Sequence, residues 1–444
     1  MGDSRLQLKA RIPMVDISTF ETLESAVRSY CRSFPTVFEQ AKGATLVDAQ
    51  GDRYIDFFAG AGALNYGHND SGIKARVLEY LAEDNIIHSL DMATRAKGEF
   101  LEEFQRVILE PRNLAYRVQF PGPTGTNAVE ASLKLARKVT GRREVLYFRG
   151  GFHGMTLGSM SVAGDPVKRT DAGVDLPSTH ELPFEADDPS ALDALERRLE
   201  GVDPAERPAA VILETVQAEG GVRAASVPWL RRLEAITRRF EILLVVDDIQ
   251  VGCGRTGTFF SFEESGIVPD LVCLSKSISG FGLPMSLVLL RPDLDVWRPG
   301  EHNGTFRGQN LSFVAARAAL EFWRDDTLGR DVERKATRIR EALEGFAARF
   351  EALGGRVVGR GLIQGLVFDD PTVAGRVSKA CFERGLVIEC AGLSDEVLKL
   401  LPSLTISDDE LSLGLEILEQ GLDEVCQHMA APGETVDDEA LVAG

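Results

Sequence analysis

The sequence predicts an α/β protein whose large domain is built on a mostly parallel β-sheet, with a small α+β domain formed by both chain ends. Short apolar runs rich in β-branched residues recur through the middle of the chain, and amphipathic helical patterns separate them. Strands that are apolar on both faces and alternate with helices are typical of a parallel sheet covered by helices on both sides. Shorter strands after a long helical stretch indicate the second domain.

Charge and length limit the possible classes of protein. The chain has 444 residues, with 49 Lys and Arg against 68 Asp and Glu, which gives a formal net charge of −19. Because a surface with this much negative charge repels phosphate backbones and anionic lipid headgroups, we expect no nucleic acid and no membrane as partner. No apolar run reaches the roughly 18–20 residues of a membrane helix, and we recognise no signal peptide. The six cysteines lack CxxC spacing, which predicts reduced thiols, a cytoplasmic protein and no metal site.

The N-terminal elements are predicted to be short. Residues 1–18 form a loose arm, and Ser18 with Glu21 gives a capping box for a helix that runs to about Ser33. Two extended runs, residues 44–48 and 53–58, indicate a hairpin.

The middle of the chain carries the predicted sheet. Strands are predicted at residues 145–148, 210–213, 242–246, 271–274 and 286–290. Helices are predicted at residues 73–86, 94–109, 128–139, 191–199 and 228–240.

The C-terminal part begins with the long helical stretch, residues 313–350. Strands at residues 356–368, 386–389 and 397–401 follow, and a last helix runs from Ser407 to about Met429. We expect residues 19–75 and 326–429 to form the small domain together, around a large domain of residues 76–325. Residues 430–444 are acidic and are predicted to be a disordered tail.

Two glycine-containing segments are candidates for phosphate binding. Residues 252–257 match G-x-G-x-x-G after a strand, but the segment that follows does not read as a helix, and Asp247 and Asp248 upstream would repel a pyrophosphate. We therefore reject a dinucleotide site. Gly125 and Thr126, in contrast, open a well-patterned helix whose free N–H groups suit one phosphate. A plain capped helix is the alternative.

Polar side chains follow three of the predicted strands. Lys276 follows a buried strand, and a desolvated lysine can become an amine nucleophile, although a surface loop lysine is the alternative. Asp247 ends another strand with Gln250 three residues on, and strand-end carboxylates point into ligand crevices, although a turn aspartate is the alternative. Phe152 and His153, flanked by glycines, can stack on a flat ring or fill a loop. Together these groups are those that pyridoxal phosphate (PLP) requires.

The motifs resemble those of the class III aminotransferases, which have PLP fold type I. Residues 247–257 are similar to the family's D-E-x-Q-x-G-x-G-R-T-G segment, and Lys276 lies 29 residues after Asp247, as in that family. Residues 304–308 resemble its G-T-[FY]-x-G. The resemblance covers roughly residues 20–428.

The resemblance implies a role for each matching residue. Lys276 is the Schiff-base lysine and proton shuttle, and Asp247 pairs with the pyridinium nitrogen. Gln250 contacts the ring 3-hydroxyl and Phe152 stacks on the ring beside His153. Gly125 and Thr126 hold the phosphate, and Thr305 does so from a neighbouring subunit, which implies a homodimer.

The resemblance narrows to the subfamily that transfers an amino group between glutamate and 2,4-diaminobutyrate or their oxo forms, especially its ectoine-pathway members. Residues 32–38, 60–69, 121–130 and 300–308 carry it. The substrates expected from it are L-glutamate and L-aspartate 4-semialdehyde. Another ω-aminotransferase is the alternative, and a cofactor-free binding protein and a PLP decarboxylase are less favoured.

Two departures from the class III pattern bear on the substrate. Ornithine-, acetylornithine- and GABA-type members read H-G-R-T, whereas Met155 stands in place of the arginine here. Lys399 stands where the usual C-terminal arginine binds a carboxylate, and a lysine offers a point charge instead of a bidentate fork. Glu219 falls where the family keeps a switching glutamate, so we expect it to pair with Lys399; a static surface pair is the alternative. Arg307 is a candidate for a second cation.

Overall fold

The computed structural model describes residues 16–176 and 178–430. Most of the predicted arm and nearly all of the predicted tail lie outside the described residues, so both stay predictions. Within the described ranges, no helix is long and apolar enough to cross a membrane.

The described residues contain seventeen strands. They are β1 (Phe38–Lys42), β2 (Thr45–Asp48), β3 (Arg53–Asp56), β4 (Arg117–Gln119), β5 (Val145–Phe148), β6 (Thr179–Leu182), β7 (Ala210–Leu213), β8 (Val216–Gln217), β9 (Arg223–Ala224), β10 (Leu243–Asp247), β11 (Leu271–Leu274), β12 (Leu287–Leu290), β13 (Arg356–Arg360), β14 (Ile363–Val367), β15 (Leu386–Val387), β16 (Glu389–Ala391) and β17 (Val397–Leu400).

The helices cover the sheets and connect the strands. They are α1 (Ile17–Leu23), α2 (Tyr30–Ser33), α3 (Ala59–Gly62), α4 (Ser71–Ala82), α5 (Arg95–Phe104), α6 (Gly125–Thr140), α7 (Leu157–Met160), α8 (Pro166–Thr170), α9 (Ala191–Glu200), α10 (Val227–Arg239), α11 (Asn310–Ala319), α12 (Thr327–Arg349), α13 (Thr372–Phe382) and α14 (Asp408–Ala430).

The large sheet confirms the predicted α/β architecture. Its seven strands run in the order β4-β12-β11-β10-β7-β5-β6, and β12 is the one strand of this sheet that runs opposite to the other six. The strands β5, β7, β10, β11 and β12 are buried along their whole length, which explains their apolar runs. Helix α6 packs on β10 and β11, so its first turn lies at the edge where these strands end.

Two smaller four-stranded sheets lie outside the large sheet, and one of them joins the two ends of the chain. One has the order β1-β2-β3-β15 and contains the predicted hairpin, and the other has the order β13-β14-β17-β16. The pairing of β15 with β3 is parallel, so a strand from the C-terminal part completes a sheet begun near the N-terminus. Both ends of the chain therefore contribute strands to the α+β region.

The predicted helix from Ser18 to Ser33 is wrong in its cap and in its length. The N-cap is Asp16, whose side chain accepts the N–H of Ser18, and α1 ends at Leu23. No residue of α1 is buried, and Leu23 is 81% exposed, so no packed face stabilises a longer helix. A separate turn, α2, precedes β1.

Two longer predicted elements are each divided in the structure. The predicted helical stretch 313–350 is two helices in the structure. The first, α11, ends in a short 3₁₀ turn, and α12 begins at Thr327, whose N–H donates to Asp325. The strand 356–368 is the hairpin β13–β14, which turns at Gly361. Gly361 has φ +58°, and a Cβ there would lie 2.4 Å from the carbonyl oxygen of Arg255, so only glycine suits this turn.

Candidate active site

Lys276 lies directly after the buried strand β11, as the sequence predicts. Its φ is +51°, a left-handed conformation that is uncommon for a residue with a side chain and that collects at functional sites. Its Nζ donates a hydrogen bond of 2.8 Å to the carbonyl oxygen of Ala61. Burial lowers the pKa of Lys276 below its usual value, although the charge of Glu219 opposes the shift. The side chain can therefore supply a neutral amine.

Asp247 is the last residue of β10, the strand beside β11. Its Oδ2 lies 2.7 Å from Nδ1 of His153, and its Oδ1 accepts the N–H of Ile249 at 3.2 Å. Both side chains of the Asp247–His153 pair are buried. Burial lowers the pKa of His153, but the hydrogen bond and charge of Asp247 outweigh it and raise that pKa above its ordinary value. The pair therefore holds one carboxylate in a fixed orientation inside the site.

Phe152 and His153 belong to the segment that follows β5. Because β5, β7, β10 and β11 are parallel, their carboxyl ends meet at one edge of the sheet. The N–H of Phe152 donates to Oε2 of Glu214 at 2.9 Å. Burial raises the pKa of Glu214 to about 8. Glu214, which the sequence analysis did not select, thus fixes the backbone that carries the predicted stacking ring.

The predicted phosphate-binding segment lies at the first turn of α6. Gly125 is in close contact with the turn after Asp247, since a Cβ on it would lie 2.9 Å from Cδ1 of Ile249. The hydroxyl of Thr126 contacts those of Thr156 at 2.7 Å and Ser159 at 2.8 Å. The first turn of α6 thus lies beside the turn that follows Asp247, and the N–H groups of a helix N-terminus suit a phosphate.

Glu219 and Lys399 form the expected ion pair, which also contacts Gln250. Lys399 Nζ donates to Oε1 of Glu219 at 2.8 Å, and Nε2 of Gln250 donates to the same oxygen at 3.0 Å. Burial would raise the pKa of Glu219, but the charge of Lys399 lowers it to about 2. Lys399 has no exposed side-chain surface and the side chain of Glu219 is 25% exposed, so the pair does not lie on the surface as the alternative had it.

Residues that sequence reasoning missed surround this ion pair. The carbonyl of Ala61 accepts from both Lys276 and Gln250, at 2.8 Å each. Glu389 contacts Lys399 at 3.0 Å from the other side. Burial raises the pKa of Tyr30 to about 12, with the charges of Glu389 and Glu219 adding to the shift. A glutamate inside the otherwise apolar segment 386–391 was the available signal for Glu389.

Thr305 and Arg307 are not brought together with the other predicted site residues within one chain. Thr305 is exposed, and its carbonyl accepts a hydrogen bond of 3.1 Å from Nε2 of His88. Arg307 donates to the carbonyl of Asn303 at 2.5 Å and lines a separate cleft. Met155 is 53% exposed. The segment 252–257 forms turns and starts no helix, as the sequence predicts.

The residues present fit PLP by their chemistry. Lys276 offers an amine to an aldehyde carbon, Asp247 offers a carboxylate to a ring nitrogen, and the first turn of α6 offers N–H donors to a phosphate. Gly154 belongs to the same cradle, since a Cβ on it would lie 2.5 Å from Oγ1 of Thr126.

This fold and site define a PLP-dependent enzyme that transfers amino groups. The family model of the class III aminotransferases matches residues 27–422, and the chain belongs to that family. Two similar proteins are named diaminobutyrate–2-oxoglutarate transaminase. The one from Halalkalibacterium halodurans is 54% identical over 411 residues, which are 92% of this chain and 96% of that protein. The one from Nocardia farcinica is 54% identical over 429 residues, 94% of this chain and 98% of that protein.

Solved structures with the same fold are more distant in sequence. The ornithine aminotransferase of Toxoplasma gondii has a TM-score of 0.83 at 26% identity, covering 93% of this chain and 95% of that one. A second structure of that enzyme contains PLP at partial occupancy. The N-acetylornithine aminotransferase of Stenotrophomonas maltophilia has a TM-score of 0.72 at 27% identity, over 88% and 97% of the two chains. The predicted fold type is thereby confirmed.

Proposed function

We propose that this enzyme moves the amino group of L-glutamate to the aldehyde carbon of L-aspartate 4-semialdehyde, which yields L-2,4-diaminobutyrate and 2-oxoglutarate. The observation that carries the proposal is the 54% identity, over more than nine-tenths of both chains, to transaminases named for these products. The arrangement of Lys276, Asp247 and the Glu219–Lys399 pair supports it.

The site residues divide the work of such a transfer among themselves. Bound PLP supplies a ring that accepts electrons from the substrate carbon. Lys276 would hold the cofactor through its amine, and the same amine, when free, would move a proton to and from the substrate carbon that bears nitrogen. Asp247, oriented by His153, pairs with the ring nitrogen, and Phe152 covers the ring face. We propose that Gln250 contacts the ring 3-hydroxyl, and that Gly125 and Thr126 bind the phosphate.

The substrate end of the site favours this reaction over those of the ornithine and GABA types. Met155 cannot form an ion pair with a substrate carboxylate. Lys399 can, but only after it shares or releases Glu219, its partner at 2.8 Å. We propose that Glu219 stays on Lys399 when the semialdehyde binds and moves aside when glutamate brings its own carboxylate. Arg307 is the proposed second cation for glutamate.

The substrate proposal is tested by a half-reaction screen of the PLP-loaded enzyme. Loss of the visible absorbance of the bound cofactor is followed with 2,4-diaminobutyrate, glutamate, ornithine and 4-aminobutyrate. We expect the first two to react fastest, and Lys276→Ala to lose both the absorbance and the reaction. A preference for ornithine or 4-aminobutyrate over 2,4-diaminobutyrate would overturn the substrate assignment in favour of another ω-aminotransferase.

The moving glutamate is tested separately with Glu219→Gln. We expect the variant to change the glutamate and diaminobutyrate half-reactions by different factors, because only the glutamate half-reaction needs Lys399 released. Equal effects on the two half-reactions would show that Glu219 does not move between them.

We further propose a homodimer in the cytoplasm, acting in ectoine synthesis. Support for the dimer is the exposure of Thr305, which the family resemblance assigns to the phosphate of a neighbouring subunit. All six cysteines are free, the usual state in a reducing compartment. Sedimentation of the purified enzyme tests the dimer, and ectoine content after gene disruption tests the pathway.

A further inference from the structure

Glu389 is a buried carboxylate that the proposed reaction does not yet use. It lies on β16 directly opposite Lys399 on β17, and only 6% of its side chain is exposed. Lys399 Nζ is 3.0 Å from its Oε1 and forms an ion pair with it, and no other donor in the described part of the chain reaches this oxygen. A buried carboxylate that shares its one cation with a second carboxylate can accept a further hydrogen bond, so a ligand that donates to it is favoured.

The charge of the surrounding cluster selects the kind of ligand. Two carboxylates, Glu219 and Glu389, share the single charge of Lys399, and Glu219 already takes its aligned hydrogen bond at 2.8 Å. With Glu219 in place and Glu389 ionised, the two carboxylates therefore exceed the charge of Lys399 by one. A ligand that donates a hydrogen bond to Glu389 and balances this charge is a cation with N–H groups, and an ammonium is the smallest such cation.

A chain of hydrogen bonds connects the cluster to the reacting amine of Lys276. Burial lowers the pKa of Lys276, and the charges of Glu219 and Glu389 both act against that shift. Gln250 links the two parts directly, since its amide contacts both Glu219 and the carbonyl that accepts from Lys276. A substrate that reacts at Lys276 and reaches Lys399 with its far end would therefore lie beside Glu389.

We propose that Glu389 is a specificity-determining residue that accepts the α-ammonium group of 2,4-diaminobutyrate while Glu219 remains on Lys399. This inference rests on the proposed function, in which 2,4-diaminobutyrate reacts through its 4-amino group and keeps its α-amino acid end intact. The analogue 4-aminobutyrate differs only in lacking the α-ammonium, so it leaves the oxygen of Glu389 without this further donor. Glu389 thereby favours the diamino substrate over its monoamino analogue.

The test compares these two amines in the half-reaction of the PLP-loaded enzyme. We expect the wild type to prefer 2,4-diaminobutyrate over 4-aminobutyrate by ~10- to 100-fold in kcat/KM, the size of a charge-assisted hydrogen bond. Glu389→Gln should remove most of that preference by slowing the diamino substrate alone. Glu383→Gln, an exposed carboxylate in the same part of the chain, is the matched control and should keep the wild-type ratio.

Each outcome decides for or against the role of Glu389. An unchanged ratio in Glu389→Gln, or equal losses on both substrates, would overturn the inference, as would a wild type without preference. Glu389→Asp keeps the charge and should retain part of the preference, which decides the matter if the glutamine variant does not fold. If the wild type reacts with glutamate but not at all with 2,4-diaminobutyrate, the proposed function itself is wrong.

Discussion

Lys399 is a buried cation with two carboxylate partners, whose pKa values it leaves far apart. The charge of Lys399 lowers the pKa of Glu219 to about 2 against its burial, whereas burial keeps the pKa of Glu389 raised, at about 7. Both carboxylates act back on Lys399 and raise its pKa, although burial alone would lower it. Glu219 is therefore charged at all working pH values, while Glu389 changes its charge near neutrality.

The titration of Glu389 predicts a pH-dependent specificity. Protonation makes Glu389 neutral, and a neutral carboxyl is a weak partner for an ammonium, so the preference for 2,4-diaminobutyrate over 4-aminobutyrate should fall as the pH drops through about 7. The charged and titratable groups that face Glu389 are Lys399, Glu219, Lys276 and Tyr30. The measurement is kcat/KM for both amines from pH 6 to 8. A preference that does not vary with pH, or that varies equally in Glu389→Gln, would contradict it.

At the scale of elements, the site is built where parallel strands end. The strands β5, β10 and β11 deliver His153, Asp247 and Lys276 to one edge of the sheet, and the first turn of α6 lies beside them. This meeting follows from strand direction alone, because parallel neighbours end on the same side.

Gly154 sets how closely two of these elements approach. Its φ is +120°, and a Cβ there would lie 2.5 Å from Oγ1 of Thr126, so Gly154→Ala should displace the threonine from the first turn of α6. We expect PLP to dissociate ~10-fold more readily, measured by absorbance after dilution, since about one hydrogen bond to a charged group is lost. Gly375→Ala is the control, because Gly375 lies inside α13 and a Cβ on it would meet no neighbouring atom within 4 Å. Equal PLP retention in the two variants would contradict the role of Gly154.

The elements that the sequence predicted are those with a full apolar pattern. The five buried strands of the large sheet were found because each is a run of apolar side chains. The strands β1 and β6 were missed because both lie at sheet edges, where polar residues alternate into solvent. The starts of α1 and α12 were misjudged because side-chain bonds from Asp16 and Asp325 fix those starts, and such bonds are invisible in an apolar pattern.

At the scale of the whole molecule, Arg255 connects distant parts of the chain. Its guanidinium is fully buried and donates to Oδ1 of Asn65 at 2.6 Å, to the carbonyl of Leu362 at 2.9 Å and to that of Pro402. Burial lowers the pKa of Arg255 to about 9. One side chain thus holds the glycine-rich segment 252–257 against residues from both chain ends.

Removal of this connection should destabilise the protein without altering the chemistry at Lys276. Arg255→Met leaves three buried acceptors without donors, so we expect a loss of about 3 kcal/mol in the free energy of unfolding. Thermal and urea unfolding of the PLP-loaded enzyme measure it. Arg356→Met, which removes an exposed arginine 3.5 Å from Asp369, should cost less than about 1 kcal/mol. Similar losses in both variants would contradict the role of Arg255.

The proposed dimer predicts that two defective chains complement each other. If Thr305 binds phosphate in the partner's site, a mixed dimer of Lys276→Ala and Thr305→Ala chains contains one complete site. We expect co-expression to restore PLP retention and activity at about half of the sites in the mixed dimers. Thr305→Ala alone should bind PLP about 10-fold more weakly, as expected for one charge-assisted hydrogen bond. Absence of complementation would place Thr305 in its own chain's site or in none.

The sequence by itself determined the fold class and the family, and it selected the lysine and the aspartate that the structure brings to one edge of the sheet. These depend on local patterns: apolar runs, strand-end polar residues and fixed spacings along the chain. Only the tertiary structure decided that Lys399 is buried, that Glu389 lies opposite it on the next strand, and that Ala61 accepts from Lys276. Those contacts join residues far apart in sequence, and their energies depend on burial and on alignment between strands, neither of which any local pattern encodes.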